Sequence, residues 1–192
     1  MLKHLFRPNY IRTAGRALHA SVVTAARDPS MFGDGLVPDT LDGRFDLVVL
    51  HAALVHIRLA GRGEQAERTS QALFDATFDA FDDALREIGV GDLTVAKRIK
   101  DMAKAFYGRS TAYRRALEAR DEAALGEALK RNLFARSEPG PGVVGDFANY
   151  TFSAFDGLAA MADQDILRGQ LAWPQFRISK VSAGVHETGI KV

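Results

Sequence analysis

The stretch LVVLHAALV, residues 47–55, decides the fold class of this chain. It lies within a predicted helix over residues 44–60 whose side chains are apolar nearly all round, so we expect this helix at the centre of the protein. A membrane span needs about 20 consecutive apolar residues. The stretch is shorter than that, contains His51, and is flanked by Asp46 and Arg58. We therefore interpret it as a core helix.

Helical periodicity continues on both sides of this central stretch. An aromatic stripe predicts a helix over residues 64–88 and consists of Phe74, Phe78, Phe81, Leu85 and Ile88. A second stripe predicts the next helix and consists of Val95, Ile99, Met102, Phe106, Tyr113 and Leu117. Further helices are predicted over residues 9–26, after Asp121, and around Phe147.

The distribution of helix breakers indicates one domain. Strand-like alternation is absent, and all six prolines fall between the helical patterns. We predict an all-α fold, a single compact domain of about six to seven helices over residues 1–176. The apolar periodicity fades after Trp173, and residues 177–192 are predicted to form a flexible tail.

The composition removes several kinds of chemistry. The chain contains no cysteine, which excludes disulfides, thiolate metal sites, cysteine nucleophiles and CxxC redox centres. The first acid is Asp28, and the basic residues before it give the N-terminus the composition of an organellar transit peptide. A basic amphipathic helix of the mature protein explains this composition equally well.

An acidic cluster suggests one enzymatic alternative. It consists of Asp75, Asp79, Asp82 and Asp83. Carboxylates at this spacing can hold Mg²⁺ for isoprenoid diphosphate chemistry, but such enzymes need a second acidic cluster on a facing helix, and none is evident. The other interpretation is a solvated acidic face, in which an i,i+4 pair of Asp82 and Arg86 reduces part of the repulsion between the carboxylates. We predict no catalytic residues, no metal site and no cofactor.

Charge segregation is the most informative feature. Residues 92–120 contain eight basic residues against three acids, whereas residues 64–87 contain seven acids against two arginines. Two neighbouring helices of opposite charge can simply attract each other. Alternatively, the basic helix presents a surface for RNA, acidic lipid headgroups or an acidic partner segment. On that interpretation, exposed aromatic residues of the same helix supply apolar anchors.

Four stretches carry a family resemblance. They are VPDTLDGRFDL (residues 37–47), LREIGVGDLTVAKR (85–98), MAKAFYGR (102–109) and, more weakly, ALKRNLF (128–134). In order and spacing, over about residues 10–176, the chain resembles the ubiquinol–cytochrome c chaperone family.

The resemblance implies an all-helical assembly factor with no catalytic role. In mitochondria such proteins bind newly made cytochrome b near the ribosome and hold it before haem insertion and assembly of the bc1 complex. We accordingly expect a cytoplasmic chaperone of cytochrome b, with the ribosome and the surface of the inner membrane as open further contacts. The magnesium-dependent enzyme and a general ribosome- or RNA-associated module remain the alternatives.

The predicted partner-binding residues lie on the basic helix. They are Lys97, Arg98, Lys100, Lys104, Phe106, Tyr107, Arg109 and Tyr113. Other positions that match the family are expected to be structural and include Asp39, Asp42, Gly43, Arg44, Gly91, Asp92 and Gly108. Among these we expect Asp42 and Asp92 to be helix caps, and Gly91 and Gly108 to allow close packing.

Overall fold

Seven α-helices and one short 3₁₀-helix (Pro29–Met31), with no β-strand between them, form most of the part of the chain that the structure describes. This computed structural model describes residues 7–179. The helices are α1 (Arg7–Ala26), α2 (Leu41–Leu59), α3 (Glu64–Glu87), α4 (Asp92–Glu118), α5 (Glu122–Leu133), α6 (Val143–Ala160) and α7 (Asp163–Leu167). The predicted all-α class and helix number are confirmed.

Helix α2 occupies the centre. It packs against α1, α3, α4, α5 and α6, and every residue from Asp46 to Val55 is buried. The central position predicted from its apolar surface is therefore confirmed. Because a helix that is apolar all round must be covered on every side, the other helices surround it.

The helix caps differ from those expected. The Thr40 side chain caps α2 by accepting a hydrogen bond from the backbone N–H of Gly43 at 3.2 Å. Asp42 already lies in the first turn, as does Asp92 in α4, whose N-cap residue is Gly91. An N-cap residue precedes the first helical residue and has an extended backbone, which neither aspartate provides. The expectation that the two aspartates are caps was wrong.

The aromatic stripe of α3 packs inward as predicted, except at its end. The Phe74 and Phe78 rings stack with centroids 4.3 Å apart, and Leu85 is buried. Ile88, expected to complete the stripe, is 59% exposed. Helix α3 ends at Glu87, and Ile88 lies in the turn to α4, beyond the helices that cover the stripe.

Arg58 joins α2 to the end of α6. Its guanidinium donates to the carbonyl oxygens of Leu158 at 2.7 Å and Met161 at 2.9 Å, and contacts the Asp163 carboxylate at 2.5 Å. The last carbonyls of a helix have no partner within the helix, so the buried arginine satisfies groups that would otherwise lack one.

His51 supplies the second polar link from α2. Its Nδ1 lies 2.7 Å from the Leu47 carbonyl oxygen, and its Nε2 lies 2.7 Å from the Tyr150 hydroxyl. Since a carbonyl only accepts, Nδ1 donates and Nε2 accepts from Tyr150. Complete burial lowers the pKa of His51 to about 4, so the ring is neutral at physiological pH.

The segment after α7 runs back over the helices without regular secondary structure. The Trp173 indole donates to the Ser21 hydroxyl at 3.1 Å, and the buried Phe176 ring lies 4.5 Å from the Phe147 ring. The Ser179 N–H donates to the Asp146 carboxylate at 3.0 Å. Most of the predicted tail, residues 180–192, lies outside the described residues.

The neutral state of His51 predicts an acid-sensitive fold. A histidine whose pKa is lowered by folding stabilises fully above its unfolded pKa of 6.5, and this contribution is lost as the pH falls towards 4. We expect the free energy of unfolding to fall by about 3 kcal/mol across this window because of His51 alone. Urea unfolding at several pH values measures it.

His51→Gln is the matched control. Glutamine does not titrate, so this variant should be less stable at neutral pH and lose less stability on acidification. His19 and His56 also have lowered pKa values and contribute equally to both proteins. Identical pH dependence in the two proteins would contradict the assignment.

Candidate partner-binding face on helix α4

One side of α4 is covered by the core, and the other is open. The exposed residues Leu93, Lys97, Lys100, Lys104 and Tyr107 follow one another at steps of four, three, four and three. At 3.6 residues per turn they share one face, which we call the α4 outer face. Leu93 is 92% exposed and Tyr107 is 47% exposed.

The cations of α4 are not neutralised by the acidic helix beside it. Within residues 7–179 no carboxylate lies within 4.0 Å of the cationic groups of Lys97, Arg98, Lys100, Lys104, Arg114 and Arg115. The ion pair described between α3 and α4 joins Arg86 to Asp92 at the exposed end. Pairwise attraction between the two helices therefore does not account for the basic residues.

Two of the predicted anchors lie in the core. Phe106 is 2% exposed and Tyr113 is 1% exposed, and the Tyr113 hydroxyl accepts from the Asn132 amide at 3.1 Å. The expectation that they are exposed beside the lysines was wrong, because both belong to the apolar stripe that packs on α2 and α5. Tyr107, one position along, points outward.

Arg109 faces α2. Its guanidinium lies 2.5 Å from the Asp46 carboxylate, and their side chains are only 18% and 11% exposed. Burial raises the pKa of Asp46, and the charge of Arg109 opposes that rise. Arg109 therefore compensates a buried carboxylate, and this contact fixes α4 against the central helix.

A groove adjoins the inner end of the α4 outer face. Its volume is about 310 Å³, and it lies between the end of α2, the first half of α3 and the middle of α4. The Phe74 and Tyr107 rings stack at its side with centroids 5.3 Å apart. The His56 ring meets Tyr107 edge-on at 6.1 Å.

Polar and charged side chains also line the groove, among them Glu67, Gln71 and Arg114. His56 Nδ1 lies 2.8 Å from the Ser70 hydroxyl. Burial and then the charge of Arg114 lower the pKa of His56, so this ring is neutral at physiological pH. Five of its ten lining residues are polar or charged and Phe74 and Tyr107 form an aromatic wall, so the groove suits an apolar side chain whose neighbours are polar. Sequence reasoning missed this groove because its residues come from three helices.

Gly108 lies on the open side of α4. A Cβ at this position would meet nothing within 4 Å, and the same holds for Gly91. The expectation that these glycines allow close packing was wrong, since no neighbouring element approaches either of them. Helix α4 also continues through Gly108 without interruption. The glycine leaves bare backbone beside Tyr107.

Two aspartates of the acidic cluster on α3 have partners on the same helix. Asp75 accepts a hydrogen bond from the Gln71 amide at 2.7 Å, and Asp82 forms an ion pair with Arg86. Across residues 7–179, no group of three or more His, Cys, Asp or Glu side chains is placed to hold a metal ion. None of the described helices is long and apolar enough to cross a membrane.

Comparison with known proteins decides the family. The model of the ubiquinol-cytochrome C chaperone family matches residues 34–173. The chain belongs to this family. The match includes the central helix, the groove and the whole of α4, and it confirms the resemblance predicted from the sequence.

A solved relative of this chaperone family has the same fold. The crystal structure of the Cbp3 homolog from Brucella abortus is 32% identical in sequence, with a TM-score of 0.79. The similarity covers 92% of this chain and 98% of that chain. A search of the curated proteins returns no match.

Replacing exposed glycines by alanine should stabilise the chaperone. Alanine restricts the unfolded chain more than glycine does, so we expect Gly108→Ala and Gly157→Ala each to raise the free energy of unfolding by about 0.5–1 kcal/mol. Neither new methyl group meets an atom within 4 Å. At Gly15 the methyl would lie 2.6 Å from the Ala72 backbone, so Gly15→Ala should destabilise. Thermal unfolding measures all three; a destabilised Gly108→Ala would show a packing role.

Removing Arg109 should destabilise most at neutral pH. Arg109→Met leaves the Asp46 carboxylate buried without its partner, and we expect a loss of about 3 kcal/mol. Because burial raises the pKa of Asp46, protonation favours the folded state, and the loss should shrink as the pH falls through this raised pKa. Urea unfolding measures both effects.

The double variant Arg109→Met with Asp46→Asn is the control, since it removes the buried charge as well. It should recover most of the stability and lose the pH dependence. A double variant as unstable as Arg109→Met would contradict a charge-compensating role.

Proposed function

We propose that this protein is a non-catalytic assembly chaperone of the ubiquinol–cytochrome c reductase (bc1) complex that holds newly made cytochrome b. Membership of the ubiquinol-cytochrome C chaperone family supports the assembly role. The protein acts from the cytoplasmic side, and the α4 outer face with its adjoining groove receives the client.

The observation that carries this proposal is the combination of unpaired cations with an aromatic groove. The described structure gives Lys97, Lys100 and Lys104 no carboxylate partner, and they lead along one helix face to Tyr107. Charges of one sign draw a partner of the opposite sign towards the surface, whereas apolar pockets determine how tightly it is held. Both elements are present on one face.

The size of the groove limits what it holds. A volume of about 310 Å³ accommodates a few side chains of a client segment and not a complete membrane helix. We therefore propose that the client is recognised through a short segment in which apolar residues are followed by acidic or polar ones. Arg98 and Arg114 flank this path, while Arg109, Phe106 and Tyr113 support it from within.

Site-specific crosslinking tests the client. A photoreactive amino acid in place of Tyr107, introduced in the native host while the bc1 complex is being made, should crosslink to cytochrome b. The same residue in place of the exposed Lys130 on α5 should not. Mass spectrometry of detergent-solubilised crosslinks identifies the product. Absence of cytochrome b from the Tyr107 sample would reject the proposal.

A steric variant tests the face without damaging the fold. A Cβ at position 108 meets nothing within 4 Å and the position is exposed, so we expect Gly108→Leu to remain folded. We expect capture of cytochrome b to fall about tenfold, which corresponds to about 1.4 kcal/mol of lost binding. Gly157→Leu on α6 is the matched control and should capture normally. Equal capture by both variants would show that the client binds elsewhere.

A further inference from the structure

We propose that the first half of the α4 outer face, together with the turn between α3 and α4, docks on the surface of an anionic lipid bilayer. This inference rests on the proposed function only in that it brings the groove to the membrane where the client is inserted. The surface itself is argued from five residues, with no reference to the client: Ile88, Leu93, Lys97, Lys100 and Lys104.

The turn between α3 and α4 exposes two large aliphatic side chains. Ile88 is 59% exposed and Leu93 is 92% exposed, more than any other large apolar residue between positions 7 and 179. They flank residues 89–92, which join α3 to α4 at the end of the helical hairpin and include Asp92, the first residue of α4. Single exposed aliphatic residues are common on proteins, so their position relative to the charges is what matters.

The lysines begin where the aliphatic residues end. Lys97, Lys100 and Lys104 follow Leu93 on the same face of α4, and from Leu93 to Lys104 the helix rises about 16 Å. Membrane-surface helices combine these features, because aliphatic side chains enter the acyl boundary while flexible lysines reach the lipid phosphates. Each lysine near an anionic surface adds to the attraction.

The acidic residues nearby do not neutralise the positive charge of Lys97, Lys100 and Lys104. Asp92, beside Leu93, forms its ion pair with Arg86. Asp101 is exposed on the flank of the helix, with a lysine on the preceding and on the following turn. Glu87, beside Ile88, is exposed as well, so the excess of positive charge on the outer face lies between Lys97 and Lys104.

A bilayer fits the face better than RNA does. RNA-binding surfaces pair their cations with aromatic side chains on which bases stack. Ile88 and Leu93, which precede the lysines, are aliphatic. They offer no surface on which bases stack, but they can be buried among acyl chains. With the first half of the face against the headgroups, Tyr107 and the groove lie beyond the lipid contact and close to the membrane surface.

Vesicle sedimentation of the full chain tests the charge requirement. The protein should sediment with vesicles of phosphatidylcholine mixed with phosphatidylglycerol, and not with phosphatidylcholine alone. Replacing Lys97, Lys100 and Lys104 by glutamate should weaken binding at least tenfold, since each lysine contributes about fivefold. Replacing the exposed Lys130, Arg131 and Arg168 by glutamate changes the net charge equally and should have a smaller effect.

A fluorescent label tests the insertion of the turn. The chain contains no cysteine, so Leu93→Cys can be labelled with an environment-sensitive dye at a single position. Its emission should shift to shorter wavelength with the anionic vesicles. The same dye on Lys130→Cys should not respond. This measurement keeps the three lysines intact and so does not depend on the fold of the glutamate variant.

Several outcomes would overturn the inference. They are equal binding to neutral and anionic vesicles, normal binding by the lysine variant, an unresponsive dye at position 93, and binding to ribosomal RNA with no binding to vesicles. These experiments contain no client, so their failure leaves the crosslink to cytochrome b in detergent as a separate result. Vesicle binding without that crosslink would instead reject the proposed function alone.

Discussion

The burial of α2 on all sides is the constraint on which the rest of the structure depends. A helix with no solvent-facing side needs a cover of other helices, and its polar groups need partners inside that cover. Asp46 pairs with α4, His51 with α6, and Arg58 with the carbonyls at the end of α6. These contacts help to specify the register of α4 and of α6 against α2, which apolar packing alone specifies less sharply.

This arrangement leaves α4 with two unlike sides. Its apolar stripe and Arg109 pack against α2 and the core. Lys97, Lys100 and Lys104 therefore point away from the protein and have no described acidic partner. The groove lies where the end of α2, the first half of α3 and the middle of α4 meet. The candidate site therefore depends on how these three helices pack as well as on the residues that line it.

The sequence predicted the helices, the central position of α2 and the basic character of α4, because each depends on a local period or composition. It did not show that Phe106 is buried in the core whereas Tyr107 is exposed, because two adjacent aromatic residues of a helix differ only in the direction in which their side chains point. Ile88 was misplaced because its burial depended on where α3 ends. Leu93 carried a usable signal: it lies out of phase with the stripe that begins at Val95. The contacts of Arg109 and the open space around Gly108 depend on neighbours that are distant in sequence.

The adjacent acidic and basic helices also give the molecule a permanent electric dipole. With a formal net charge of only +1, the net charge contributes little to the long-range field, so the separation of charge between α3 and α4 matters for it. In the field of a negatively charged surface such a dipole experiences a torque that turns the basic side forward before contact. Orientation before collision increases the fraction of encounters that are productive, and salt reduces that advantage by screening the field.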